Sequence, residues 1–77
     1  MDDQDGIKAP TAREQAVLEL IVAGYPAREI ALRLGIAART VECHVDQLRL
    51  KTGSRNRAHM AAVAVRLGLV TLPSRWT

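Results

Sequence analysis

Between Glu29 and Val45 the chain reads Glu-Ile-Ala-Leu-Arg-Leu-Gly-Ile-Ala-Ala-Arg-Thr-Val-Glu-Cys-His-Val. Ile30, Ala31 and Leu34 recur at the spacing of one helical face, with Arg28, Glu29 and Arg33 on the other. Gly35 then interrupts the pattern, and Ile36 supplies an apolar plug to pin the turn. Val41, Val45 and Leu48 restart the periodicity at intervals of four and three. Two amphipathic helices across so tight a turn make a helix-turn-helix, whose second helix is shaped to enter the major groove of DNA. No other stretch of the 77 residues offers chemistry of comparable specificity.

The rest of the sequence extends this unit into an all-α, four-helix bundle. Thr11 and Glu14 have capping-box spacing, and a first helix is expected over about 12–23. Its broad apolar face is Val17, Leu18, Leu20, Ile21 and Val22, with Glu19 opposite and Gly24 as the left-handed stop. Pro26 suits the first turn of the second helix, about 27–34. The third, about 38–51, turns Arg39, Glu42, Cys43, Asp46, Gln47 and Arg49 outward. After Gly53 and a polar Ser54-Arg55-Asn56 entry, a fourth helix is expected over about 57–68. Between Ala58 and Val70 the only strongly polar residues are His59 and Arg66, so it is apolar nearly all round and needs cover on more than one face. A second copy of the same helix is the natural cover, with His59, Ala62, Val63 and Arg66 at the dimer interface. Exposed alanines serving as plain helix formers are the alternative. Residues 1–9 read as a flexible acidic lead-in, 10–70 as the domain, and 71–77, with Pro73 and Trp76, as a C-terminal tail.

Composition narrows the function classes. Hydrophobic residues make up 48% of the chain, too many for a disordered tail. Tyr25 and Trp76 are the only aromatics, so the core must be aliphatic. No run approaches the ~18 apolar residues of a membrane span, and the start Met-Asp-Asp-Gln-Asp is unlike a signal peptide. A single cysteine, Cys43, implies no internal disulfide. These features point to a cytoplasmic protein. The formal charge is +3, but three of the eight acids lie in the first five residues. From Gly6 onward, eleven Lys and Arg face five acids, a net +6. That balance suits a polyanion binder, although an ordinary solvated basic surface has the same charge. Metal binding is disfavoured, because Cys43 and His44 are adjacent on a helix and point about 100° apart, and His59 lies elsewhere. No acid/base partner or pocket-forming segment surrounds Glu42 and Asp46, so neither a catalytic site nor a cofactor is expected.

Thr11, Glu14, Gly24, Glu29-Ile30-Ala31, Leu34-Gly35-Ile36, Thr40-Val41, His44, Lys51, Gly53 and Arg57 together resemble the pattern of the LuxR-type (GerE-type) DNA-binding domain. The match runs without a gap over about residues 10–67. The resemblance implies a four-helix bundle with a central helix-turn-helix and a fourth helix that commonly dimerises. It also implies a transcriptional regulator that binds double-stranded DNA. Members usually carry the domain behind a sensor or receiver domain. Here about nine residues precede it, and Met1 with its acidic lead favours a single-domain regulator over an excised fragment.

Carried over by position, Thr40 would reach a phosphate at the start of the recognition helix, and Lys51 would pair with backbone phosphate at its end. Arg39, Arg49, Arg55 and Arg57 complete the expected phosphate contacts. Glu42, Cys43 and Asp46, with Gln47 as a further candidate, would face bases, and His44 is expected in a structural role. Pro10, Pro26, Ala37 and Thr52 stand where the family has Leu, Ser, Ser and Leu. A lost N-cap oxygen typically costs about 1 kcal/mol. Two carboxylates facing a phosphate-lined groove are repelled unless they accept from cytosine amino groups or pair with a neighbouring cation, for which Arg39–Glu42 is feasible. Cys43 could touch a thymine methyl, serve as a thiol switch, or simply fill space. The competing function is a protein-interaction module that uses the same scaffold to bind another regulator or RNA polymerase.

Overall fold

A computed structural model describes residues 10–70. It contains α1 (Ala12–Val22), α2 (Ala27–Leu34), α3 (Ala38–Thr52) and α4 (Arg57–Arg66), with no strand among the described residues. The helices begin where the sequence places them. The first ends one residue earlier than expected and the fourth two earlier, while the third runs one residue further.

α3 packs against each of the other three helices, and so does α1. The start of α1 is fixed by the Thr11–Glu14 box: the Glu14 amide donates to Thr11 Oγ1 at 3.1 Å, and the Thr11 amide donates to Glu14 Oε1 at 3.0 Å. Val17 and Leu18 are fully covered, and Ile21 and Val22 nearly so. They meet Ile30 and Ala31 of α2, Val41, Val45 and Leu48 of α3, and Met60 and Ala64 of α4 in one cluster. Fully burying a side chain of this size contributes about 1.5–3 kcal/mol, so an aliphatic core of this extent, with Tyr25 packed at its edge, offsets the scarcity of aromatics in a domain so small. Val70 joins the cluster, and Gln15 Nε2 donates to the Leu69 carbonyl at 2.9 Å, which holds the end of the described chain against α1.

Two turns orient the recognition helix. Gly35 closes α2 with φ 68° and ψ 35°, a left-handed conformation that costs glycine nothing and other residues strain. Ile36 follows and packs against the core as the expected plug. Gly53 closes α3 in the same way, at φ 67°. Pro26 and Ala37 occupy the N-caps of α2 and α3, so Pro26 lies one position before the first turn. Neither has a side-chain cap bond. Asn56 does cap α4, accepting from the His59 amide at 2.9 Å. No described helix is long and apolar enough to cross a membrane.

Candidate nucleic-acid interface

α3 buries Val41, Val45 and Leu48 and turns the remainder of its circumference outward. At 100° per residue, Arg39, Cys43, Asp46 and Leu50 line up opposite the buried stripe, with Glu42 and Gln47 to either side. All six are exposed, as is Thr40 in the first turn. The candidate base-facing residues Glu42, Cys43, Asp46 and Gln47 therefore share one continuous outward face. His44 is half-buried at its edge.

The expected phosphate-holding residues divide into two groups. Arg39, Thr40 and Arg55 are exposed. The other three are engaged by other groups of the chain. Lys51 Nζ lies 2.6 Å from Glu14 Oε1, with the two side chains only 20% and 8% exposed. Arg57 Nη2 donates to the Tyr25 carbonyl at 2.5 Å, tying α4 to the α1–α2 turn. Arg49 Nη1 lies 3.5 Å from Asp46 Oδ1, three residues back on the same helix. The Arg39–Glu42 pair that helical spacing allows does not form; among the described residues Asp46–Arg49 is the ion pair internal to α3. Arg39 at the exposed end of the stripe and Glu42 at its flank both remain turned to solvent.

Among the described residues, Glu14 is the one group whose ionisation is clearly displaced. Burial opposes its charge, but Lys51 and the Thr11 amide outweigh that cost and hold its pKa below the ordinary value. Capping-box spacing locates Glu14 at a helix start, whereas its partner lies 37 positions away and carries no local signal. Leu50 is the residue of the outward face that the helical pattern should have flagged. It stands seven positions from Cys43 and four from Asp46, and is 77% exposed.

On α4, Met60, Val63 and Ala64 are buried against the rest of the domain. Val63 is thus already covered within one chain and has no surface to offer a second copy. His59, Ala62 and Arg66, the other residues assigned to that interface, are exposed, together with Ala58 and Leu67. His59 Nδ1 also accepts from the Arg55 amide at 3.0 Å, which secures the entry to α4.

The family model for bacterial regulatory proteins of the luxR family matches residues 10–64, across the whole helix-turn-helix. A probable transcriptional regulator, ycf29, of Cyanophora paradoxa is 44% identical over 61 residues, covering 79% of this chain and 29% of that protein. The response regulator Rre1 of Synechocystis is 41% identical over 59 residues, covering 77% of this chain and 26% of its own length. The chain thus spans less than a third of these curated relatives. Among solved structures, the transcription factor GerE superposes with a TM-score of 0.76 at 30% identity, over 82% of this chain and 94% of GerE. A Vibrio cholerae VqmA–ligand–DNA complex gives 0.76 at 33% identity, over 82% of this chain and 28% of VqmA. The matched family is one of regulatory proteins and not an enzyme class. By its helix-turn-helix geometry and by a family match over most of its length, the chain belongs to the luxR family of bacterial regulatory proteins.

Proposed function

We propose that this chain is a sequence-specific DNA-binding regulator that acts as a homodimer, with α3 in the major groove of each half-site. The observation that carries this reading is the unbroken outward face of α3. It is solvent-exposed from Arg39 to Leu50 and mounted on a buried stripe that fixes its direction. Arg39 and Thr40 lie where the first turn of the helix favours a phosphate, and Arg55 projects from the turn after α3. Cys43 and Gln47 face base edges, with Glu42 and Asp46 able to accept from cytosine amino groups. Lys51 and Arg57 support this surface from behind, through Glu14 and the Tyr25 carbonyl, and Arg49 reaches phosphate once released from Asp46.

The dimer reading is supported by the outward face of α4, where Ala58, Ala62 and the partly buried Val65 form a low, close-approach stripe flanked by His59 and Arg66. A VqmA structure of this fold is described as a dimer in the absence of target DNA, with a TM-score of 0.77. Such a protein works in the cytoplasm, where its DNA is.

The test is retention of genomic DNA fragments across a salt series, with sedimentation in parallel. A saturable subset of fragments, a steep salt slope and two chains per site support the reading. Absence of selective retention by the folded protein at low salt favours the protein-interaction module, which Glu42 and Asp46 would then serve by meeting a basic partner.

A further inference from the structure

Leu50 is the largest apolar side chain on the outward face of α3, and none of the described residues covers it. Both of its sequence neighbours are cations whose charge is directed elsewhere, Arg49 to Asp46 and Lys51 to Glu14. The last turn of the helix therefore presents a hydrocarbon surface where a phosphate-holding charge would be expected. Leu50 also aligns with Cys43: seven residues on a straight helix drift by only about 20° and advance by about 10.5 Å. Set against a rise of about 3.4 Å per base step along the DNA axis, and a longer path along the winding groove, that advance spans at most about three base steps. Beside Leu50 a shallow hollow of about 350 Å³ is lined by Asp46, Arg49, Leu50 and Ser54. Its rim thus carries the paired Asp46 and Arg49 and the Ser54 hydroxyl, which meets Thr52 Oγ1 at 2.5 Å, next to an apolar side chain suited to a base.

We propose that Leu50 is a specificity-determining residue that packs on the 5-methyl group of a thymine, within about three base pairs of the base beneath Cys43. In the major groove this methyl group is the one apolar feature that distinguishes a base pair. For Leu50 to reach it, α3 must lie along the groove floor and not enter only by its first turn. The shared azimuth of Arg39, Cys43, Asp46 and Leu50 fits that orientation. The inference rests on the DNA-binding reading above and deepens it.

The test uses the duplex selected by the wild-type chain, with each thymine replaced in turn by deoxyuridine, which removes the methyl group alone. Binding is measured for wild type, Leu50→Ala and Leu50→Met. One thymine per half-site is expected to respond, its uridine form binding wild type about 3- to 5-fold more weakly, the effect of one buried carbon. Leu50→Met retains that sensitivity and Leu50→Ala loses it, with the thermal melt of both unchanged because the site is exposed. Three results would overturn the proposal: no responsive thymine, sensitivity that persists in Leu50→Ala, or a Leu50→Ala loss that is equal on operator and unrelated DNA. If wild type prefers no DNA sequence at all, the regulator reading falls and takes this inference with it. Selective binding without uridine sensitivity removes only the role of Leu50.

Discussion

Lys51, near the end of α3, and Glu14, in the first turn of α1, meet through a 2.6 Å ion pair with little solvent access. Glu14 Oε1 simultaneously accepts from the Thr11 amide. One carboxylate oxygen therefore caps α1 and clamps the far end of the recognition helix. The outward face of α3 keeps its direction because both ends of the helix are held, by Ile36 in the turn before it and by Glu14 at its close.

Replacing Glu14 with Gln tests this clamp without removing the cap, since Gln also completes a capping box. The variant leaves the Lys51 ammonium without its counter-charge in a poorly solvated position. A loss of about 2 kcal/mol at neutral pH is expected, within the range of a charge-assisted hydrogen bond and below that of a fully buried broken pair. The sign of the pH dependence follows from the lowered Glu14 pKa. Folding favours the ionised form, so the contribution is complete above the ordinary value of 4.5 and disappears as pH falls through the lower folded value. Urea unfolding of wild type and Glu14→Gln should differ at pH 7 and converge in acid. A constant difference across that range would assign the loss to packing.

The helix-turn-helix and its flanking helices were legible because each rests on a local signal. Period and glycine placement define α2 and α3, and the Thr11–Glu14 spacing defines the start of α1. The outward set Glu42, Cys43, Asp46 and Gln47 follows directly from the burial of Val41, Val45 and Leu48. The Lys51–Glu14 and Arg57–Tyr25 contacts span 37 and 32 residues, and no spacing rule encodes them. The internal partners of these two basic residues are thus visible in the tertiary structure and not in the spacing. Val63 illustrates the same limit on α4. A helix apolar on nearly all sides does not reveal which of its residues face the core.

Ala37 occupies the N-cap of α3 with φ −73° and ψ 149°, the extended conformation from which a serine oxygen accepts from the first-turn amides. Its side chain has no oxygen to do so. Ala37→Ser is expected to stabilise the domain by about 1 kcal/mol, raising the melting temperature by about 4–8 °C for a chain of this size. Differential scanning calorimetry measures this directly. An unchanged or lower melting temperature would mean that these amides are already well satisfied by solvent.

Asp46 holds Arg49 at 3.5 Å on an exposed surface, where such a pair is worth little to stability. Its larger effect is on charge presented to DNA. Asp46→Asn removes a carboxylate from the outward face of α3 and, under the proposed function, frees Arg49 for a phosphate. Non-specific DNA should then bind about 3- to 10-fold more tightly, and the slope of log K against log salt should steepen by about 0.9, the value for one added phosphate contact. Fluorescence anisotropy over a salt titration reads both quantities. Tighter binding without a steeper slope would show that repulsion by Asp46, and not capture of Arg49, is what the substitution relieves.

The two faces of α4 predict opposite behaviour for neighbouring residues. Ala62 is exposed at the centre of the outward stripe, whereas Val63 is buried against the other helices. Ala62→Glu places a charge where two copies of α4 would approach, so it should convert a dimer to monomers in sedimentation and leave the helical content unchanged. Val63→Ala deletes two buried methyl groups and should cost about 1–2 kcal/mol at about 0.8 kcal/mol for each carbon, with the association of the folded protein retained. A dimer that survives Ala62→Glu would require another contact surface. Loss of dimerisation with Val63→Ala alone would instead imply that association depends on the internal packing of α4, and the outward alanine stripe would then have no role in pairing.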